Sequence, residues 1–253
     1  MLSVISSSSA ENLHLPDRCL AVFVDDTGHE ALARGHLVFG LGGCAVLGRD
    51  LVRLIWQPWK AIRKRVTGSP DTPLHASEFA KIARTSDIEA VAEFFRVQAF
   101  ARFGAIISVN TKLEDELTLM QTMKAVIQQR VNDIMQPTLC RDVKIIFESS
   151  ERANMLIQET FQDFELRRGW KHIPSECYFL PKAAAEPALE VADFVMHAVG
   201  SASSPKSYKS RIICAGFQSG IPRGASNPRK LHGGRIGYTN TVTNPRTAPC
   251  RIF

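Results

Sequence analysis

The stretch Leu20-Ala21-Val22-Phe23-Val24-Asp25-Asp26-Thr27-Gly28 constrains the fold more than any other part of the chain. Five apolar residues rich in Val and Phe predict a buried strand, and the glycine after Thr27 predicts a turn. Two neighbouring carboxylates then stand at the C-terminal end of a core strand, where open α/β sheets gather their ligand sites. Side chains alternate across a strand, so Asp25 and Asp26 cannot both enter the core, and at least one faces a cleft. An ionised carboxylate there needs a metal, a base or a set of donors, because burying it alone is too costly. Plain turn chemistry, for which Asp is equally suited, is the competing explanation.

The pattern downstream predicts an α/β chain. Residues 35–47 read as two strands meeting at glycines, forming an antiparallel meander with the first strand. Leu51, Leu54, Ile55, Trp59 and Ile62 have helical spacing, with Pro58 expected to kink or split the helix. A helix over about 87–103, a strand over 104–110, a helix over about 113–135 and a strand over 142–148 follow. Then come a helix over 151–168, a short strand over 177–180, and a helix from Pro187 to about Val199 opened by its proline. Helices alternating with strands after a meander predict a mixed sheet, antiparallel at one edge and parallel beyond it.

Charge divides the chain. Beyond Asp193 there is no Asp or Glu, whereas Ser201–Phe253 holds nine Lys and Arg, leaving the remainder at a formal −3. An all-basic tail of Gly, Pro, Ser and Asn predicts a loop or disordered segment, with a possible strand over 212–217, and points to a polyanion, most simply nucleic acid. Lys206, Lys209, Arg211, Arg229 and Lys230 are the candidate contacts; a basic tail with no specific partner is the alternative. Met1–Pro16 has no basic start or long apolar run, so residues 1–17 read as a frayed leader rather than a signal peptide. With no apolar run of about 18 residues, no membrane span is expected. The six cysteines lie at least 25 residues apart, which argues against zinc and for packed free thiols in a cytoplasmic protein.

Other acids stand where strands end or helices open. Glu148 ends the 142–148 strand as Asp25 ends the first. Glu190 and Asp193, three apart, share a face of an otherwise apolar helix. His75 and Glu78 lie just before a helix, where a capping role competes with acid–base chemistry or a phosphate contact for His75, and with ligation for Glu78. Convergence of Asp25, Glu148 and Asp193 would be repulsive without divalent cations, and Mg²⁺ favours carboxylate oxygen, water and phosphate. Two such ions about 3.5–4 Å apart suit phosphodiester hydrolysis.

Three motifs carry a family resemblance. Val22-Phe23-Val24-Asp25-Asp26-Thr27-Gly28 resembles the hydrophobic-Asp-Glu-Ser-Gly signature of the family known as domain of unknown function 3800. Leu74-His75-Ala76-Ser77-Glu78-Phe79 resembles its Leu-His-Ala-Ser-Glu motif, and Ala188-Leu189-Glu190-Val191-Ala192-Asp193 its Leu-Gln-hydrophobic-Ala-Asp motif. The resemblance spans roughly residues 18–200. It implies a ribonuclease-H-like domain and a Mg²⁺- or Mn²⁺-dependent nuclease acting on RNA or DNA. Asp25, Asp26, Glu148, Glu190 and Asp193 would hold the metal, with Asp25, Glu148, Asp193 and His75 catalytic. Asp26 stands in place of the family's Glu, Glu190 in place of its Gln, and Glu148 where an Asp is expected. The strand ending at Asn110 is a rival neighbour for the first strand, which would leave Glu148 one strand farther away.

Other readings fit less well. Asp26-Thr27-Gly28 matches the aspartic-protease triplet, but those enzymes are all-β. Haloacid-dehalogenase phosphatases need Asp-x-Asp, and Thr27 occupies the second acidic position. Gly40-x-Gly42-Gly43 joins strands and does not open a helix, as a dinucleotide site requires. A nucleic-acid-binding protein that keeps the fold without catalysis is the main alternative.

Overall fold

The computed structural model describes residues 4–6, 13–28, 38–108, 116–149, 154–161 and 163–202. Strands β1 (Val4–Ser6), β2 (Cys19–Gly28) and β3 (Val38–Leu47) precede helix α1, which spans 48–67. Helices α2 (Ala76–Ile82) and α3 (Thr85–Val97) lead into β4 (Ala101–Ser108), α4 (Glu116–Met135) and β5 (Asp142–Glu148). Helix α5 (Asn154–Phe161), strands β6 (Leu166–Arg168), β7 (Lys171–Ile173) and β8 (Ser175–Leu180), and helix α6 (Pro187–Ala202) complete the described order.

Six strands form one sheet in the order β1–β8–β5–β2–β3–β4. β3 is antiparallel to both β2 and β4, while β2, β5, β8 and β1 run parallel to one another. The chain is therefore α/β with a mixed sheet flanked by helices. β5 lies beside β2, with Val24 opposite Phe147, and β4 lies at the far edge. This settles the position of Glu148, which stands on the strand next to Asp25.

Alternation along β2 separates two cores. Leu20, Val22 and Val24 join Val143, Ile145 and Phe147 against Met123, Ile127 and Val131 of α4. Ala21 and Phe23 join Ile146 against α1, α3 and α6. There the fully buried Trp59 ring meets Phe94 at 5.1 Å and Phe194 at 4.9 Å, tying α1 to α3 and α6. Each buried aromatic removes roughly 150–250 Å² from water, so these rings clamp α6 against α1 and α3.

Several expectations need correction. Residues 38–47 are one strand rather than two, and the meander is completed by β4. The glycines at 40, 42 and 43 lie inside β3. A Cβ on Gly42 would come within 2.7 Å of Met196 Sδ, and one on Gly43 within 2.8 Å of Ala192 Cβ. Gly42 and Gly43 mark the close approach of α6 rather than a turn. The helix expected over 87–103 ends at Val97, and the strand expected over 104–110 begins at Ala101. The helix expected over 151–168 stops at Phe161, and Leu166–Ile173 turns into a hairpin at Gly169, whose φ of +60° favours glycine. Part of the expected frayed leader, Val4–Ser6, pairs with Cys177–Phe179.

Pro58 does not break α1. A π-helical stretch, Val52–Trp56, directly precedes the α-helical Gln57–Thr67, whose first turn holds the proline. The shifted ladder absorbs the missing N–H. Cys19, Cys44, Cys140 and Cys177 are free and buried, and burial raises the Cys19 and Cys177 thiols to about 12. No helix among the described residues is long and apolar enough to cross a membrane. The possible strand over 212–217 lies outside the described residues.

Candidate carboxylate site

Strand parity decides which acids meet. Asp25 follows Phe23 on the α6 side of β2, and Glu148 follows Ile146 on the same side of β5. Asp26 has the opposite parity and belongs to the other face of the strand. α6 lies over β2 and β3, and its inner residues Ala188, Val191, Ala192, Phe194 and Val195 belong to the same core. Asp193 projects from this helix towards α2. The backbone N–H of Ala76 donates to Asp193 Oδ2 at 2.9 Å, and His75 Nδ1 lies 3.8 Å from the same oxygen.

His75 holds the N-cap position of α2 without a side-chain capping bond, its ring turned instead to Asp193. Glu78 is exposed in the first turn of α2, where a negative charge complements the helix dipole.

Four acids share one electrostatic environment. Burial, then the charges of Asp193 and Asp26, push the Asp25 carboxyl well above the ordinary carboxylate range; Glu148 adds to the rise, and the Asp26 backbone N–H opposes it. Burial likewise raises Glu148, with Lys182 and His75 opposing and Asp193 and Asp26 adding. Asp193 is raised by burial, against the Ala76 N–H, His75, His197 and Lys182. Asp25, Asp26, Glu148 and Asp193 therefore feel one another, with His75, His197 and Lys182 around them.

Sequence reasoning missed two of these residues. His197 is one helical turn beyond Asp193, and the i,i+4 spacing was there to be used. Lys182 opens the short 3₁₀ turn Lys182–Ala184, two residues beyond Leu180, the residue paired with Glu148. Only the strand pairing reveals that proximity.

Glu190 does not join the group. Its Oε2 accepts from Trp59 Nε1 at 2.8 Å and Arg63 Nε at 2.9 Å, and its Oε1 from Arg63 Nη2 at 2.7 Å. Arg63 and Glu190 are 2% and 6% exposed, so this is a buried, bidentate ion pair between α1 and α6. The expected place of Glu190 among the metal ligands gives way to a structural role, because both carboxylate oxygens are committed to α1. Beside it, Glu186 accepts from Trp56 Nε1 at 2.6 Å and the Ala188 N–H at 3.1 Å, and burial raises its carboxyl.

Among the described residues, no group of three or more His, Cys, Asp or Glu stands ready to hold a metal ion. Lys206, Lys209, Arg211, Arg229 and Lys230 lie outside the described residues. Comparison with family models, with curated proteins and with solved structures finds no match.

Proposed function

We propose that this chain is a metal-dependent nuclease of ribonuclease-H-like fold, hydrolysing phosphodiester bonds of RNA or DNA. The observation that carries this reading is the placement of Asp25 and Glu148 on the same side of two adjacent parallel strands, near their C-terminal ends, with Asp193 on the helix that covers that side and Asp26 beside them. An antiparallel meander followed by parallel strands is the arrangement expected of such a domain. The three motif resemblances to domain of unknown function 3800 support it too, since Asp25, His75 and Asp193 come from three different motifs.

The donor set fits Mg²⁺ or Mn²⁺. Clustered carboxylates offer hard oxygen ligands; burial first, and for Asp25 and Glu148 the neighbouring acids as well, disfavours their charged forms, a cost that a bound cation would offset. When bound, the ion supplies activated water and charge stabilisation at phosphorus. Asp25 and Asp193 would be the principal ligands, completed by Glu148 or Asp26. Lys182 adds a positive charge suited to a non-bridging phosphate oxygen. His75, held by Asp193, is suited to moving a proton at Nε2.

A cleavage assay with single- and double-stranded RNA and DNA, with and without Mg²⁺ or Mn²⁺, tests this reading. Cation-dependent cleavage by the wild type and none by Asp25→Asn is expected. Equal cleavage by purified Asp25→Asn would refute the assignment. The alternative, nucleic-acid binding without catalysis, draws support from the same side chains not standing in ligating geometry.

A further inference from the structure

The hairpin β6–β7 sits far from the carboxylates and is unusually well anchored. Three residues spaced four apart, two on α4 and one just past its end, hold it: Gln128 Nε2 donates to the Glu165 carbonyl, Asn132 Oδ1 accepts from the Arg167 N–H, and Gln136 Nε2 donates to the Arg167 carbonyl. Leu166 and Ile173 are buried in the α4-side core. Arg168 reaches back to the carbonyls of Met135 and Cys140 at 3.2 and 3.1 Å. The tip, by contrast, gives its largest apolar side chain to water: Trp170 is 92% exposed.

An exposed Trp on a fixed support is costly to keep in water and suits a partner that covers it. The charge around it narrows the choice. From Leu166 to Ile173 the chain reads Leu-Arg-Arg-Gly-Trp-Lys-His-Ile, with three formal positive charges, a histidine and no acid. Lys171, His172 and Arg167 are exposed, Arg167 pairing with Glu165 at 3.1 Å. An indole between cations matches a strand of unpaired bases, which offers a π-face and a phosphate at every step. Duplex ends aside, paired bases keep their faces hidden.

We infer that the hairpin 166–173 is a docking element for single-stranded nucleic acid, Trp170 stacking on a base while Lys171 and Arg167 meet the flanking phosphates. It is distinct from the carboxylate site. The hairpin is tied to Met135 and Cys140, just before β5 begins, and Glu148 ends that seven-residue strand, roughly 20 Å away. The ligand class rests on the nucleic-acid reading above, whereas the docking itself needs no cation and no cleavage.

Full-length Asp25→Asn protein in a chelating buffer, titrated with a deoxythymidine 12-mer, provides the test. Trp170 is the most exposed of three tryptophans, so quenching at the red edge of the emission reports contact at the hairpin and not at the tail. Quenching is expected in the parent; Trp170→Ala should abolish it and weaken binding about tenfold, with Trp170→Phe largely restoring affinity. Lys171→Ala should lower the slope of log affinity against log salt by roughly 0.7. Unchanged emission at saturation, or unchanged affinity in Trp170→Ala, overturns the proposal. So does quenching by an acidic polypeptide but not by the oligonucleotide, which would mark a protein-docking surface. A wild type that cleaves nothing in Mg²⁺ or Mn²⁺, while this quenching persists, would sink the nuclease reading alone.

Discussion

Asp193 Oδ2 accepts the Ala76 backbone N–H at 2.9 Å, so the carboxylate that belongs to the acidic cluster also holds the first turn of α2. The two duties separate by substitution. Asp193→Asn keeps an oxygen acceptor and loses the charge, whereas Asp193→Ala loses both.

Asp193→Asn should therefore abolish cation-dependent cleavage with stability near that of the wild type. Asp193→Ala should abolish cleavage and also lower unfolding free energy by about 0.5–2 kcal/mol, the usual cost of losing a helix cap. Urea denaturation beside the cleavage assay distinguishes them.

The raised Asp25 carboxyl gives a pH signature. In the folded protein it holds a proton at pH values where the unfolded chain has already released it. Its contribution to stability therefore falls as pH rises from the ordinary carboxylate range through the raised folded value, and stays low above it. Without divalent cations, Asp25→Asn should melt above the wild type at pH 8, and the gap should close towards pH 4. Calorimetry across that range measures it; a gap independent of pH would contradict the burial and repulsion argued above.

Cations should reverse that ranking. Mg²⁺ or Mn²⁺ at about 100 times its dissociation constant would stabilise the wild type by about 2.7 kcal/mol. For a domain of this size each kcal/mol moves the melting temperature by roughly 2–4 °C. Asp25→Asn should show little of this gain in the same melting experiment.

The Arg63–Glu190 pair predicts a different outcome. Arg63→Met leaves the Glu190 charge buried with only Trp59 Nε1 as donor, at an expected cost of about 3–5 kcal/mol. Chemical denaturation should show a loss of that size, while Glu93→Gln in the solvent-exposed Arg96 pair should leave the unfolding midpoint essentially unchanged.

The basic tail carries its own expectation. Deleting Ser219–Phe253 should weaken nucleic-acid binding and flatten its salt dependence, with cleavage at saturating substrate retained. Equal affinity and equal salt slope would make the tail a passive extension.

Much of this architecture was legible from local pattern. The apolar run before Asp25, the 142–148 strand and the proline-opened α6 all declare themselves within a dozen residues. What escaped were features created by neighbours. Nothing in the local sequence announces the hairpin that begins at Leu166, because Gln128 and Asn132 of α4, more than 30 positions earlier, bind the backbone of Glu165 and Arg167. Glu190 looked like a site acid because its partner Arg63 is 127 positions away in sequence. The glycines of β3 looked like turn residues because nothing nearby announces the helix that lies on them.

Those glycines set a length scale for the whole site. A methyl group on Gly42 would meet the Phe103 carbonyl oxygen at 2.4 Å and Met196 Sδ at 2.7 Å, and α6 would have to rise to make room. Asp193 rides on that helix, and Gly42 is the residue paired with Asp25. The spacing between the two acids is thus gauged by hydrogen atoms where other strands carry side chains. A single added carbon, bearing no charge and touching neither carboxylate, would be enough to detune them.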